Sequence, residues 1–336
     1  MEVVVTRPLP ASVLVTGASG FLGRHVSAAL IRQGVAVRGL VRRPDAALAP
    51  GVVARFARGL DDREALESAV SGVEGVIHLA ARVHQSRTPD DESAHRAVNL
   101  TGTKSLLDAS AGANVKSFVF FSSVKVMGEA NETPWTERDV PAPASAYGAT
   151  KLEAEAAVRE VAGRRGMHAP ILRLPLVYGP GMTANALRLF QGVDRGTPLP
   201  LGSVRNRRSF LFVGNLIAAV TAVLTHQGGN DVFFVSDGHD LSTPELIRAI
   251  ARALDRPARL LPIPLGLLRG AGRLGDMVAR AVPFPLTTSA VDRLAGSLAV
   301  DSSKLHRQTQ FSPPHSVEEG LRITADWYRA RPRERS

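Results

Sequence analysis

Short apolar runs alternate with longer stretches of helical periodicity through the first 170 or so residues. Ser12–Thr16, Val35–Val41, Val52–Ala57, Val76–Leu79, Ser117–Phe121 and Ala169–Leu174 read as strands, Val52–Ala57 being the weakest. Between them Phe21–Gln33, about Asp62 to Ser71, Ser93–Ala113 and Ala146–Arg164 read as helices. Short strands separated by helices predict βαβ units. Strands that are apolar almost throughout predict a parallel sheet buried on both faces. The expected fold class is α/β, with a doubly wound parallel sheet.

Beyond Tyr178 the pattern loosens. Prolines and glycines recur from Gly179 to Gly202, Val213–Thr225 and Pro244–Leu254 look helical, and Ser209–Val213 and Val232–Val235 suit short strands. Residues 1–178 are therefore expected to form one α/β domain. Residues 179–330 are expected to be mostly a smaller substrate-binding lobe, with some elements returning to the sheet, and 331–336 a frayed tail. There is no internal repeat and no low-complexity tract.

Composition narrows the class. A chain of 336 residues, 44% hydrophobic, suits one large domain or two modest ones. Cysteine is absent, which removes any disulfide framework or thiolate metal site and suits a reducing compartment. The opening MEVVVTRPLPASVLVTG has no basic start ahead of a long apolar core, so it reads as a first strand, and the expected location is cytoplasmic. The stretch nearest to a membrane span, Pro262 to Pro285, is interrupted by Arg269, Arg273, Asp276 and Arg280. Lysine and arginine outnumber acids 41 to 31, a net charge of +10. The arginines are scattered and aromatics are 5% of residues, so no stacking platform with a basic stripe is present. That argues against nucleic acid and for a small anionic substrate.

The first chemistry lies between the first strand and the first helix, at Thr16-Gly17-Ala18-Ser19-Gly20-Phe21-Leu22-Gly23. Glycines there permit a tight turn and let backbone approach a pyrophosphate, while the helix N-terminus supplies free N–H donors. Gly17, Ser19, Gly20, Phe21, Leu22 and Gly23 are therefore candidate dinucleotide-binding residues, and the sheet is expected to be of the Rossmann type. The second strand ends Val41-Arg42-Arg43, without the carboxylate that holds a ribose in NAD-binding folds. Arg42 and Arg43 suit a 2′-phosphate and lean toward NADP over NAD. The alternative is two solvated arginines beside an NAD ribose.

The second chemistry is Tyr147 and Lys151, four apart in AYGATK and so on one helix face. An ammonium beside a phenol favours the phenolate, and the expectation is a Tyr147 pKa lowered toward the working range. Lys151 is also expected to hold the nicotinamide ribose. The preceding strand ends Phe120-Phe121-Ser122-Ser123, where a serine hydroxyl suits the substrate oxygen. His78 and His84 have no carboxylate at ligand spacing, so no metal is expected.

TGASGFLG, FVFFSSVKVMGE and YGATK together resemble the extended short-chain dehydrogenase/reductases of the NAD-dependent epimerase/dehydratase family. HLAARVH, RLPLVYGPG and RRSFLFVGN extend the resemblance to its UDP-glucose 4-epimerase-like, bacterial envelope-polysaccharide branch, from about Ser12 to Tyr328. The resemblance implies that Ser123, not Ser122, joins Tyr147 and Lys151 as a catalytic residue. It places Leu79, Ala80, Ala81, Asn99, Pro175 and Val177 along the cofactor, the role of Asn99 being largely structural. It places Val83, Ser123, Asn185 and Arg208 on the substrate, with Arg208 toward the diphosphate of a nucleotide sugar. Two departures weaken the usual contacts: Gly59-Leu60 replaces an adenine-contacting Asp, and Leu176 a substrate-contacting Asn. A third argues against a 4,6-dehydratase, because Val124-Lys125 stands where those enzymes carry Asp-Glu for water elimination. The implied activity is a nucleotide-sugar, UDP-hexose, 4-epimerase. An NADPH-dependent UDP-4-keto-sugar reductase is the alternative, and a sterol- or flavonoid-type dehydrogenase a more distant one. The family's helix-paired homodimer is implied too, with Ala154, Ala156 and Ala157 permitting close packing.

Overall fold

The alternation of strands and helices resolves into one seven-stranded parallel sheet in a computed structural model that describes residues 6–83, 91–278 and 287–331. The first half runs β1 (Ser12–Thr16), α1 (Phe21–Arg32), β2 (Ala36–Val41), β3 (Val53–Phe56), α2 (Arg63–Val70), β4 (Gly75–His78), α3 (Asp91–His95), α4 (Gly102–Gly112), β5 (Ser117–Ser123), α5 (Ala146–Arg165) and β6 (Ile171–Leu174). The second half adds β7 (Leu176–Tyr178), α6 (Ala184–Asp194), β8 (Phe210–Phe212), α7 (Val213–Thr225), β9 (Val232–Phe234) and α8 (Thr243–Ala253). It ends with α9 (Leu265–Val278), α10 (Thr288–Ala295), α11 (Ser303–Thr309) and α12 (Val317–Ala330).

The sheet order is β3-β2-β1-β4-β5-β6-β9, and β7 and β8 form a separate parallel pair. The order reverses between β1 and β4, and the crevice at the carboxyl ends of those strands is where open α/β sheets bind ligands. One face of the sheet packs Val13, Val15, Val119 and Leu172 against α1 and α7. The other packs Leu14, Val76, Phe118 and Phe120 against α2, α4 and α5. A third cluster, around Phe190, Phe210, Phe212 and Ile250, fills the C-terminal half. Leu22 and Val177 touch both the first and third clusters, so the start of α1 lies on the seam between the sheet and the C-terminal elements.

Two elements differ from the sequence reading. The helix expected over Ser93–Ala113 is divided by a π-helical segment, Arg96–Thr101. That wide turn carries the buried Asn99, whose amide group is bonded to the backbone of Arg82 on the loop after β4. β6 starts at Ile171, two residues late, because Pro170 has no N–H to give; its carbonyl still accepts from Phe120. β9, from the C-terminal half, pairs with β6 as the last strand of the large sheet. Ala154 and Ala157 are buried against the chain's own core, leaving Ala156 the outward-facing alanine of the three. Among the described residues, no helix is long and apolar enough to cross a membrane.

Candidate active site

The turn between β1 and α1 is built for close backbone approach. Gly17 has a φ of +67°, and a Cβ there would sit 3.0 Å from the Ala80 nitrogen. A Cβ on Gly23 would lie 2.1 Å from the Gly17 carbonyl oxygen, so only glycine lets the first turn of α1 close over the loop. Gly20, the N-cap, offers no side chain to the helix, so the first amides of α1 point into the crevice without a side-chain partner.

A chain of hydrogen bonds fixes the far wall of that crevice. Thr16 Oγ1 lies 2.7 Å from His78 Nδ1, and His78 Nε2 lies 2.9 Å from Thr103 Oγ1. Thr103 donates to the Asn99 carbonyl, so its oxygen accepts from His78, and the ring proton sits on Nε2. Thr16 then donates to Nδ1 while accepting from the Ala80 N–H at 3.1 Å. His78 is fully buried, and dehydration together with the Lys151 charge pushes its pKa down to about 3, so it stays a neutral connector. Leu79 and Ala80 are thereby held against the glycine turn, and Ala81 follows them half-buried. Asn99 acts on the same wall, its Oδ1 accepting from Arg82 N and its Nδ2 donating to Arg82 O. No cluster of potential metal ligands occurs among the described residues, and His84 lies outside them.

Ser123 at the end of β5 lies beside Tyr147 on the first turn of α5, and Lys151 follows one turn along the same helix. Ser145 caps α5 through the Gly148 N–H, which sets Tyr147 on the first turn. The Tyr147 hydroxyl lies close enough to Ser123 to feel its hydroxyl, and Ser123 Oγ accepts from Lys125 N at 3.2 Å. The His95 ring meets the Tyr147 ring edge-on, with centroids 6.1 Å apart. Lys151 is 2% exposed, its Nζ stands 3.9 Å above the Phe120 ring, and no hydrogen-bond acceptor among the described residues reaches it. Burial dominates both titrations. It pushes the Tyr147 phenol up to about 12, with the nearby Ser123 hydroxyl pulling partway back. It pulls the Lys151 ammonium down to about 7, with Glu155 opposing. The lowered Tyr147 pKa expected from the sequence is thus reversed in the chain by itself, because dehydrating a phenolate costs more than Ser123 returns.

The Lys151 shift has a consequence for stability. The unfolded chain binds this proton up to its ordinary 10.5 and the folded chain only up to about 7, so stability rises with pH across that window. The cost of burying the ammonium is fully present below it. Lys151→Met removes that cost, and without cofactor it should melt roughly 3 °C or more above the parent near pH 6. The gap should narrow toward pH 9 or so; thermal unfolding at the two pH values, showing one constant gap, would contradict the burial argument.

One pair escaped the sequence reading. Glu155, one turn past Lys151, is fully buried and receives Arg173 Nε at 3.0 Å, Arg173 Nη2 at 2.7 Å and Ser122 Oγ at 2.5 Å. Arg173 interrupts an otherwise apolar strand, Ile171-Leu172-Arg173-Leu174, and a charge in a buried strand demands a partner. That was the available signal.

The substrate-side candidates are more dispersed. Val83 is exposed beyond β4, and Asn185 is exposed on the first turn of α6. Arg208 is half-buried and donates through Nη1 to the carbonyls of Arg293 (2.7 Å) and Gly296 (2.9 Å), at the end of α10. Glu129, on the loop after β5, is near enough to pull the Arg208 pKa up against burial, so this guanidinium lies on the β5 side of the C-terminal elements. Pro175 is buried, Val177 half-buried and Leu176 exposed, at the start of β7. Arg42 and Arg43 are exposed at the end of β2, with Arg43 3.9 Å from Asp45.

These features fit a dinucleotide: a cradle that any Cβ would fill, uncapped helix amides, and a buried ammonium without an acceptor. A model of the NAD-dependent epimerase/dehydratase family matches residues 13–235. The UDP-glucose 4-epimerase of Vibrio cholerae is 35% identical over 334 residues, covering 95% of this chain and 96% of that protein. The dTDP-glucose 4,6-dehydratase of Streptomyces griseus is 29% identical over 329 residues, covering 94% and 93%. The structure of the Thermus thermophilus UDP-glucose 4-epimerase complex with NAD matches with a TM-score of 0.75 at 25% identity, covering 95% of this chain and 99% of that one. The chain belongs to the NAD-dependent epimerase/dehydratase family.

Proposed function

We propose that this chain is a nucleotide-sugar 4-epimerase acting on a UDP-hexose through Ser123, Tyr147 and Lys151. The observation that carries the reading is a tyrosine hydroxyl beside Ser123 at the start of the helix whose next turn buries a lysine with no acceptor for its ammonium. A ribose hydroxyl is the group such an ammonium lacks. Gly17, Ser19, Gly20, Phe21, Leu22 and Gly23 would hold the pyrophosphate, Leu79, Ala80 and Ala81 the adjoining wall, and Pro175 and Val177 the nicotinamide side.

A nicotinamide held there would supply the acceptor and donor of the C4 hydride. Tyr147 takes the C4 hydroxyl proton as the carbinol is oxidised and gives it back on reduction. Ser123, whose oxygen accepts from Lys125 N, keeps one O–H to donate and would turn it to the C4 oxygen when substrate is bound. Arg208 and Asn185 are assigned to the nucleotide diphosphate and Val83 to the sugar side. Val124 is buried and Lys125 is ion-paired to Glu129, so the positions that follow Ser123 supply no carboxylate for elimination. A homodimer paired through the outer faces of α4 and α5 belongs to this reading.

Arg42 and Arg43 support a second reading, a UDP-4-keto-sugar reductase using NADPH. Denaturing freshly purified protein and weighing the released nucleotide separates the two. Stoichiometric NAD, with C4 epimer formed from UDP-glucose and no added cofactor, is the epimerase result. Empty protein that binds NADPH more tightly than NADH is the reductase result. In that case Arg42→Glu with Arg43→Glu should weaken NADPH about 100-fold, two charge-assisted contacts being lost. Under the epimerase reading the same double variant keeps its NAD.

A further inference from the structure

The pair beneath the proton-transfer residues joins every element that supplies them. Glu155 shares one face of α5 with Tyr147 and Lys151, at steps of four residues. Its two oxygens receive Ser122, the neighbour of Ser123 at the end of β5, and both Nε and Nη2 of Arg173 on β6, whose chain runs directly into Pro175 and Val177. Arg173 Nη1 also reaches Met127 Sδ at 3.1 Å, beyond the turn that follows Ser123. Ser122, Glu155 and Arg173 are all buried. A buried ion pair contributes little net stability compared with an apolar core, so its presence here asks for another use.

The surroundings of Lys151 indicate that use. It faces the neutral ring of His78 from β4 and the Phe120 ring from β5, with Glu155 one turn on and Tyr147 one turn back along its own helix, and Arg173 from β6 behind Glu155. Among the described residues Glu155 is the one anion that acts on it. We propose that Glu155 is a positioning residue for proton transfer: its buried carboxylate, fixed by Arg173 and Ser122 one turn along α5 from Lys151, supplies the negative charge that favours the ammonium form of that lysine. The proposal rests on the 4-epimerase reading only for what Tyr147 and Lys151 do with substrate.

The test is a direct titration of Lys151 in cofactor-free protein, by NMR of lysine labelled at Cε and Nζ. The chain has only Lys104, Lys116, Lys125, Lys151 and Lys304, and the signal missing from Lys151→Met assigns the resonance. Glu155→Gln should lower the Lys151 midpoint by about one pH unit, since the ammonium loses its anion and gains an unpaired guanidinium. The alkaline limb of turnover should move the same way, leaving about tenfold less activity near pH 8 with KM little changed. Should Glu155→Gln fail to fold because Arg173 is stranded, the double variant Glu155→Gln, Arg173→Gln leaves no buried charge unpaired and should still titrate below the parent. A folded variant whose Lys151 titrates as in the parent overturns the proposal, whatever happens to its melting temperature. A shifted midpoint in a protein without 4-epimerase turnover sinks the epimerase reading and leaves the role of Glu155 standing.

Discussion

Replacing Tyr147 with phenylalanine should lower kcat for C4 epimerisation about 10²- to 10⁴-fold, the span ascribed to one positioned proton-transfer group. The substitution removes a single oxygen. The ring keeps its edge-on contact with His95 and its place on the first turn of α5, capped by Ser145. Ser123 is not left without a partner, since its Oγ still accepts from Lys125 N. Folding, measured by thermal unfolding, should therefore change little, and the loss should fall on the chemical step with KM and cofactor retention preserved. Ser123→Ala makes a useful contrast. It removes both the Tyr147 contact and the cap on the short turn Val124–Val126, so a smaller rate loss should come with a stability cost of about 1 kcal/mol. Turnover of Tyr147→Phe within threefold or so of the parent would remove Tyr147 from the mechanism and leave the crevice as a binding site only.

The parts of the site set by local geometry are legible in the sequence. Gly17, Gly20 and Gly23 sit between a strand and a helix, and Tyr147 and Lys151 are one turn apart after a strand that ends in two serines; short-range spacing fixes such features. Features decided across the sheet are not legible in this way. Glu155 reads as one more acid on a helix rich in Glu and Ala, and only the packing of α5 on β5 and β6 buries it beside Arg173. Ala154 and Ala157 suit a partner chain as well as Ala156 does, but the chain's own core takes them. The π-helical break at Arg96–Thr101 depends on a bond between Asn99 and a loop 17 residues away, which no periodicity registers. The Tyr147 titration departs from its expected direction for a related reason. Spacing tells which charge is near, but burial sets the larger influence, and burial is a property of the whole fold.

That distinction between spacing and surroundings makes the other large effect testable with one type of substitution at two positions. Gly23 and Gly163 both lie inside α-helices, and alanine is the better helix former by roughly 0.5–1 kcal/mol at each. At Gly163 an added Cβ meets nothing within 4 Å, so Gly163→Ala should raise the melting temperature by a degree or two, in line with that propensity. At Gly23 the same methyl would stand 2.1 Å from the Gly17 oxygen and 2.7 Å from the Ala18 Cα, both backbone atoms that no rotamer change can clear. Either α1 lifts from the loop or the Gly17 turn opens toward Ala80, whose nitrogen already bounds it. Overpacking of this kind costs about 1–3 kcal/mol, and the cost falls on the turn that must sit against the pyrophosphate. Gly23→Ala should thus lose its bound dinucleotide on purification and bind added NAD on the order of 10- to 100-fold more weakly, while remaining folded. Calorimetric titration of NAD into stripped protein reads the effect. Parental affinity in Gly23→Ala would show that the pyrophosphate lies elsewhere, and that the tight closure of α1 over Gly17 serves packing alone.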